Sequence, residues 1–339
     1  VALLSPGAAV ARAVPLRLAQ GVLVLWGAFT VSFVVLYLLP GDPVSILISG
    51  GAGGEIGGSS AEDIAALRAE FNLDQPLPVQ YALALWDALR LDLGTSIQTG
   101  RPVAESIVSA LPGTAALTAV ALVLSLLLGT AVALAATVGR SPRLTAFVAG
   151  LPALGVAVPT FWIGLLLLQL FSFRLGVLPA VGSQGPESLI LPAVTLAVPN
   201  GAIIAQVLLR SLEEVQRQPY ITALRGKGLG RLALVVGHGL RNAVIPALSL
   251  AGVVAGNFLA GSVVVETVFT RDGIGRLTQT AVQTQDIPVV QGVVLFAAAV
   301  FVATSLVVDL LYPVLDPRIR SEAPRFGRGA VAAAAERTP

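Results

Sequence analysis

The chain has 339 residues, of which 55% are hydrophobic and only 12% charged, against roughly a quarter charged in an ordinary soluble domain. Such a composition cannot wrap a water-facing surface around a core, so membrane spans become the unit of counting. Cysteine is absent and there is one histidine, His238, and one lysine, Lys227, which excludes disulfides, thiolate metal sites and most metal or phosphate chemistry.

A bilayer hydrocarbon core about 30 Å thick takes roughly 20 helical residues, and a charge at its centre is costly. Six windows free of Asp, Glu, Lys and Arg are long enough: Leu18–Gly41, Ser106–Gly139, Leu144–Phe173, Ser188–Leu209, Asn242–Val265 and Ile287–Val308. They predict six transmembrane helices over residues 18–39, 112–138, 144–172, 188–210, 243–265 and 287–312, an all-α polytopic membrane protein. Lipid offers backbone groups no partner, and the runs are too long for barrel strands. The first window is too long for a signal peptide and no small-residue cleavage site follows it. Pro152, Pro159, Pro192 and Pro199 interrupt spans three and four as kinks or packing points. Gly252 and Gly256 form a small-xxx-small pair in span five.

Charge sets the orientation. The N-terminus (1–17), the turn at 139–144, the loop at 210–242 and the tail hold fifteen of the 21 basic residues. The positive-inside bias then places both termini and the 210–242 loop in the cytoplasm of a multi-pass inner-membrane protein. Residues 40–111 form a long external loop. Within it, residues 50–60 read as a flexible connector, residues 64–71 as a capped amphipathic helix, and residues 79–93 as a second helix with Tyr81, Leu85, Trp86 and Leu89 at helical spacing. The pair reads either as surface-lying helices or as a platform for an external partner. Residues 321–339 read as a flexible cytoplasmic tail.

The 210–242 loop carries a net charge of +4. Pro219 can open a short helix at its first turn, and Gly226 with Gly228 can end it. A basic segment, His238-Gly239-Leu240-Arg241-Asn242-Ala243, then leads into span five. Lys227 between glycines invites comparison with a phosphate loop, but Gly228 stands where that motif needs Ser or Thr. ATP, if used, is therefore hydrolysed elsewhere.

The stretch Tyr220–Gly228, the His238–Pro246 segment, Pro40-Gly41-Asp42-Pro43, and Asn72-Leu73-Asp74-Gln75-Pro76 resemble the B-type permease subunits of dipeptide, oligopeptide and nickel ABC importers. So do Asp92-Leu93-Gly94-Thr95-Ser96, Val264-Val265-Glu266-Thr267-Val268-Phe269, Gly273-Ile274-Gly275, Asp286-Ile287-Pro288 and Asp309-Leu310-Leu311-Tyr312. These stretches run in order from about residue 17 to 320. Thr222-Ala223-Leu224 stands where the general importer loop has Glu-Ala-Ala. The resemblance implies a type I ABC importer permease fold for residues 18–320. It also implies a second homologous permease, two cytoplasmic ATPases or a fused pair holding ATP and magnesium, and an external substrate-binding protein. No cofactor, metal or catalytic residue is implied in this chain, and no nucleic acid. Cargo would be dipeptides or oligopeptides, with nickel chelates or haem as alternatives.

By the same resemblance, Tyr220, Ala223, Arg225, Lys227, Gly228, His238, Arg241 and Asn242 would couple to the ATPase. Asp42, Glu266, Phe269 and Asp309 would lie along the pathway or at its external gate. Plainer readings stand beside these: a solvated charge for Lys227, a structural hydrogen bond for His238, a turn cap for Asp42, an interfacial charge or arginine partner for Asp309. For Glu266 the plainer reading is a rim salt bridge with Arg271 or Arg276. Two rivals differ in class. An intramembrane enzyme needs a nucleophile with a base, or paired ligands, and the spans offer neither; a channel or secondary transporter usually needs mid-membrane coupling carboxylates.

Overall fold

The computed structural model describes residues 6–38, 44, 65–66, 68–69, 71–240, 243 and 251–315. The described residues are mostly helical, with one isolated antiparallel bridge between Thr95 and Pro102. The principal helices are α1 (Pro6–Leu38), α2 (Leu77–Leu89), α3 (Val103–Val138), α4 (Pro142–Ala157), α5 (Thr160–Leu167) and α6 (Ile190–Gln216). They continue with α7 (Pro219–Gly226), α8 (Ala251–Val268), α9 (Ile274–Gln283) and α10 (Ile287–Leu315).

Among the described residues, α1, α3, α6 and α10 are each long and apolar enough to cross a membrane. The expected third span is not one rod. Its two halves, α4 and α5 with the π-helical turn Leu168–Arg174, meet at a bend of 102°. Pro159 causes it: the ring supplies no N–H and disfavours a helical residue before it, so Val158 is extended at φ −81° and ψ 127°. The bent pair makes five crossings if it counts as one. The expected fifth span is described only from residue 251, as α8, so the count of six reaches beyond the described residues.

The predicted ends move because charges, unlike caps, do not stop helices. Helix α3 starts at Val103, with Glu105 in its first turn, where the helix dipole favours an acid. Helix α6 runs past Arg210, Glu213 and Glu214 to Gln216.

Helix α6 is the central rod: 61% of its apolar window is buried, against 17% for α1. It lies against α3 at backbone contact. A Cβ on Gly129 would stand 2.7 Å from the Gly201 carbonyl, and one on Gly201 would stand 3.2 Å from the Ser125 carbonyl. Small residues allow such an approach, and dispersion between closely packed backbones replaces the hydrophobic drive that lipid removes. A Cβ on Gly155 would likewise stand 2.8 Å from the Ala202 methyl, so α4 packs closely on α6 there. Gly256, by contrast, makes only ordinary contact with Phe301. Hydroxyls in the rods are satisfied locally: Ser125, Thr137 and Thr195 each donate to the carbonyl four residues back at 2.7–2.8 Å. Outward faces are apolar, with Leu23, Val31, Leu127, Phe147 and Leu154 all exposed, as lipid solvent permits.

Three clusters fill the interior. Leu117, Leu196, Val265 and Phe269 form the middle one. Leu36, Val103, Ile107, Ile274 and Val293 form one end, and Ala133, Leu208, Leu212 and Val235 the other. Helix α2 does more than lie on a surface. Tyr81 stacks edge-on against Phe33, with ring centroids 5.3 Å apart, and its hydroxyl shares a 2.8 Å hydrogen bond with Thr30, fixing α2 to α1. Residues 50–60 and the tail 321–339 lie outside the described residues; within the expected helix at 64–71, residues 65–66 and 68–69 are helical.

Candidate functional site

At one end of the molecule the chain leaves α6 and turns at Arg217–Gln218 into α7. Pro219 occupies the first helical position and Gln218 is extended before it. Ile221, 1% exposed, is the anchor that seats this short helix. Its far end closes at Gly228, whose φ of +84° is a left-handed conformation that favours glycine. Among the described residues nothing lies within 4 Å of where a Gly228 side chain would begin, so the turn stands free of their packing. Arg225 folds back to the Gln216 side-chain oxygen at 3.2 Å. A second arm follows, Arg231–Ala233 continuing as a π-helical turn Leu234–Gly239. Leu234 and Val235 are buried, and Arg231 donates to the Gly139 carbonyl at 2.9 Å, tying the hairpin to the end of α3.

Tyr220, Ala223, Arg225, Lys227, Gly228 and His238 are all exposed on this hairpin. The structure therefore gathers six of the eight residues expected to couple on one accessible protrusion. Arg241 and Asn242 lie outside the described residues.

At the opposite end, α3, α8 and α9 meet in a buried polar cluster. Glu266 is 1% exposed. Its carboxylate accepts from the Thr114 hydroxyl at 2.6 Å and from the backbone N–H groups of Gly275 at 2.7 Å and Arg276 at 3.3 Å. Thr114 in turn accepts from the Ile274 N–H at 2.8 Å. The free N–H groups that begin α9 are thus satisfied by an acid and a hydroxyl from two other helices, the anion sitting at the positive end of the helix. Gly113 lies beside the Asp272 carbonyl, and a Cβ at Gly273 would collide with the Glu266 carboxylate.

Glu266 is consequently no rim salt bridge. Arg271 sends its guanidinium to the carbonyls of Gly182 and Ser188 and to the Ser188 hydroxyl. That of Arg276 goes to Thr270 and Asp272. Burial lowers the pKa of Arg271 from its ordinary value, while the charges of Glu266 and Asp272 raise it. Phe269 is 2% exposed within the middle cluster. Asp42 and the side chain of Asp309 lie outside the described residues.

Asp286 is a second buried acid whose part was not singled out in the sequence. It stands immediately before α10 and receives the Ser96 hydroxyl at 2.5 Å and the N–H groups of Ile97 at 3.2 Å and Gln98 at 3.4 Å. Asp before Ile-Pro is a helix-start signal, but the chain segment it holds lies about 190 residues earlier and left no local trace.

Residues 125–321 match the model of the binding-protein-dependent transport system inner membrane component family. The chain belongs to that family. Relatives extend the match over nearly the whole chain. A Brucella abortus protein named as a peptide transport system permease is 36% identical, covering 90% of this chain and 97% of its own length. The glutathione transport system permease protein GsiC of Salmonella typhimurium is 38% identical, covering 85% of this chain and 92% of its own. Among solved structures, a chain of the inward-facing MetNI methionine ABC transporter superposes with a TM-score of 0.50 at 16% identity, covering 62% of this chain and 96% of that one. That likeness concerns the fold: the bundle around α3 and α6 is the type I ABC importer permease architecture. As an inner membrane component, the permease has lipid as the solvent for its apolar outer faces.

Proposed function

We propose that this permease serves an ATP-driven importer of short peptides, forming the pathway with a second, homologous permease. The observation that carries the reading is near-full-length similarity to permeases named for peptide and glutathione transport, glutathione being itself a tripeptide. The exposed hairpin is the handle. Cytoplasmic ATPases grip α7 around Tyr220, Ala223, Arg225, Lys227 and Gly228, with His238 beside it, and an external binding protein delivers cargo at the other end. Basic residues concentrated at the hairpin and the termini support a cytoplasmic placement. The chain then does no covalent chemistry. Its work is alternating access, in which ATP binds the two states of the assembly with different affinity and so shifts their populations.

The test is uptake of labelled dialanine by vesicles containing the complete transporter. ATP-dependent, binding-protein-dependent accumulation is expected, and its absence under conditions where a nickel chelate or haem is accumulated would overturn the peptide reading. Placement is checked separately: since the chain has no cysteine, Lys227→Cys gives a unique thiol in this subunit. It should react with an impermeant reagent only from the cytoplasmic side.

A further inference from the structure

Beside the Glu266 cluster lies a polar trough of ≈ 430 Å³, bounded by the 96–101 segment, the first turns of α3 and one face of α9. Its volume falls within the range of small-ligand pockets, about 300–1,000 Å³. Arg101, Ser106, Ser109, Asp272, Arg276 and Thr280 contribute to its lining.

The charges around it are not equivalent. Asp286 lines the trough, but its carboxylate is filled by one hydroxyl and two backbone N–H groups. The groups left to meet a solute are two guanidinium ions and the Asp272 carboxylate. Arg276 pairs with Asp272 at 3.3 Å, with the two side chains 41% and 82% exposed. Arg101 pairs with Glu105 at 2.7 Å, with 55% and 59% exposed. Exposed pairs of this kind hold weakly, so either arginine can exchange its carboxylate partner for a better one at little cost, Arg276 being steadied by its 3.1 Å bond to the Thr270 carbonyl. A planar guanidinium binds a carboxylate in bidentate fashion, which sets it apart from a simple point charge.

We propose that this trough is a substrate subsite, in which Arg276, with Arg101 beside it, holds the free carboxylate of a short peptide. The hydroxyls of Ser106, Ser109 and Thr280 face the peptide backbone. The walls are preorganised: Asp286 fixes the 96–98 segment and Glu266 fixes the start of α9, so the arginines are presented on supports that do not have to be built when cargo arrives. This assignment rests on the peptide-import reading and on the placement of this end outside the cytoplasm.

Thr280→Cys places a single thiol of this subunit on the trough wall. In membranes containing the complete transporter, an anionic thiosulfonate should modify it severalfold faster than a cationic one of similar size. Dialanine should slow the reaction about tenfold, consistent with a charge-assisted hydrogen bond. Dialaninamide, which lacks the carboxylate, should not. Adding Arg276→Gln should remove both the charge preference and the protection, and Arg276→Lys should restore the preference. Equal rates for the two reagents, no protection by dialanine, protection by the amide as well, or protection surviving Arg276→Gln would each overturn the subsite. The peptide reading fails by a different sign, wild-type vesicles that accumulate no dialanine.

Discussion

The Thr114 hydroxyl and the Glu266 carboxylate, 152 positions apart in sequence, meet at 2.6 Å and join α3 to α8 at the point where α9 begins. Both groups are withdrawn from solvent, so the bond cannot be exchanged for water. Replacing Glu266 with Gln keeps the shape but loses the charge that the two backbone N–H groups complete, and Thr114→Val leaves the Ile274 N–H without its acceptor. Each variant should cost about 2 kcal/mol. In a double-mutant cycle read by thermal unfolding of the purified complex, the two losses should fall well short of adding. Strict additivity would show that the residues do not act as a unit.

Gly273→Ala and Gly275→Ala drive a methyl into the Glu266 carboxylate and into the Val263 backbone respectively. Backbone does not yield, so Gly275→Ala should sharply reduce the amount of folded permease in membranes. Gly150, in the interior of α4 with none of the described residues within 4 Å of its missing Cβ, makes the contrast. Gly150→Ala should be neutral or stabilising by up to about 1 kcal/mol, measured as the shift in the unfolding transition.

The carboxylate of Asp286 is the sole described anchor of the Ile97 and Gln98 N–H groups. Asp286→Ala should loosen the 96–98 segment, seen as faster proteolysis and faster amide exchange there, while α6 keeps its protection. Ser96→Ala, which removes one of three donors, should have a smaller effect of the same kind, about 1 kcal/mol.

At the hairpin, strain and bulk can be separated because Gly228 combines a left-handed backbone with open space around it. Gly228→Asn tolerates that backbone and should retain most peptide uptake and ATPase coupling. Gly228→Trp should insert normally yet abolish coupled uptake. Equal loss in both variants would place the defect in the turn itself, and full activity in both would remove the hairpin from the ATPase contact.

Most of the architecture was legible because lipid imposes a single blunt rule, and windows without charge found α1, α3, α6 and α10 directly. Their ends were not, since Glu105 and Arg210 sit comfortably inside helices once beyond the hydrocarbon. The bend at Pro159 was signalled by the residue, though its size, 102°, depends on how α4 and α5 pack on α6 and α8. The hairpin was readable locally, from Pro219, Gly226 and Gly228. Glu266 was found as a residue and misread as a contact, since nothing around it in sequence announces Thr114 as its partner. Asp286 was passed over for the same reason: the segment it secures belongs to a different third of the chain.

Pro112 lies inside α3 immediately before Gly113 and Thr114, the two residues that hold α3 to the α8–α9 corner. It has no N–H to give to the carbonyl of Val108, so the opening turns of α3, which carry Ser106 and Ser109, join the remainder by one bond fewer. Packing makes good the missing bond: Val103 and Ile107, in those same turns, are buried against Ile274 and Val293, so side chains as well as the backbone ladder hold this end of α3 in register.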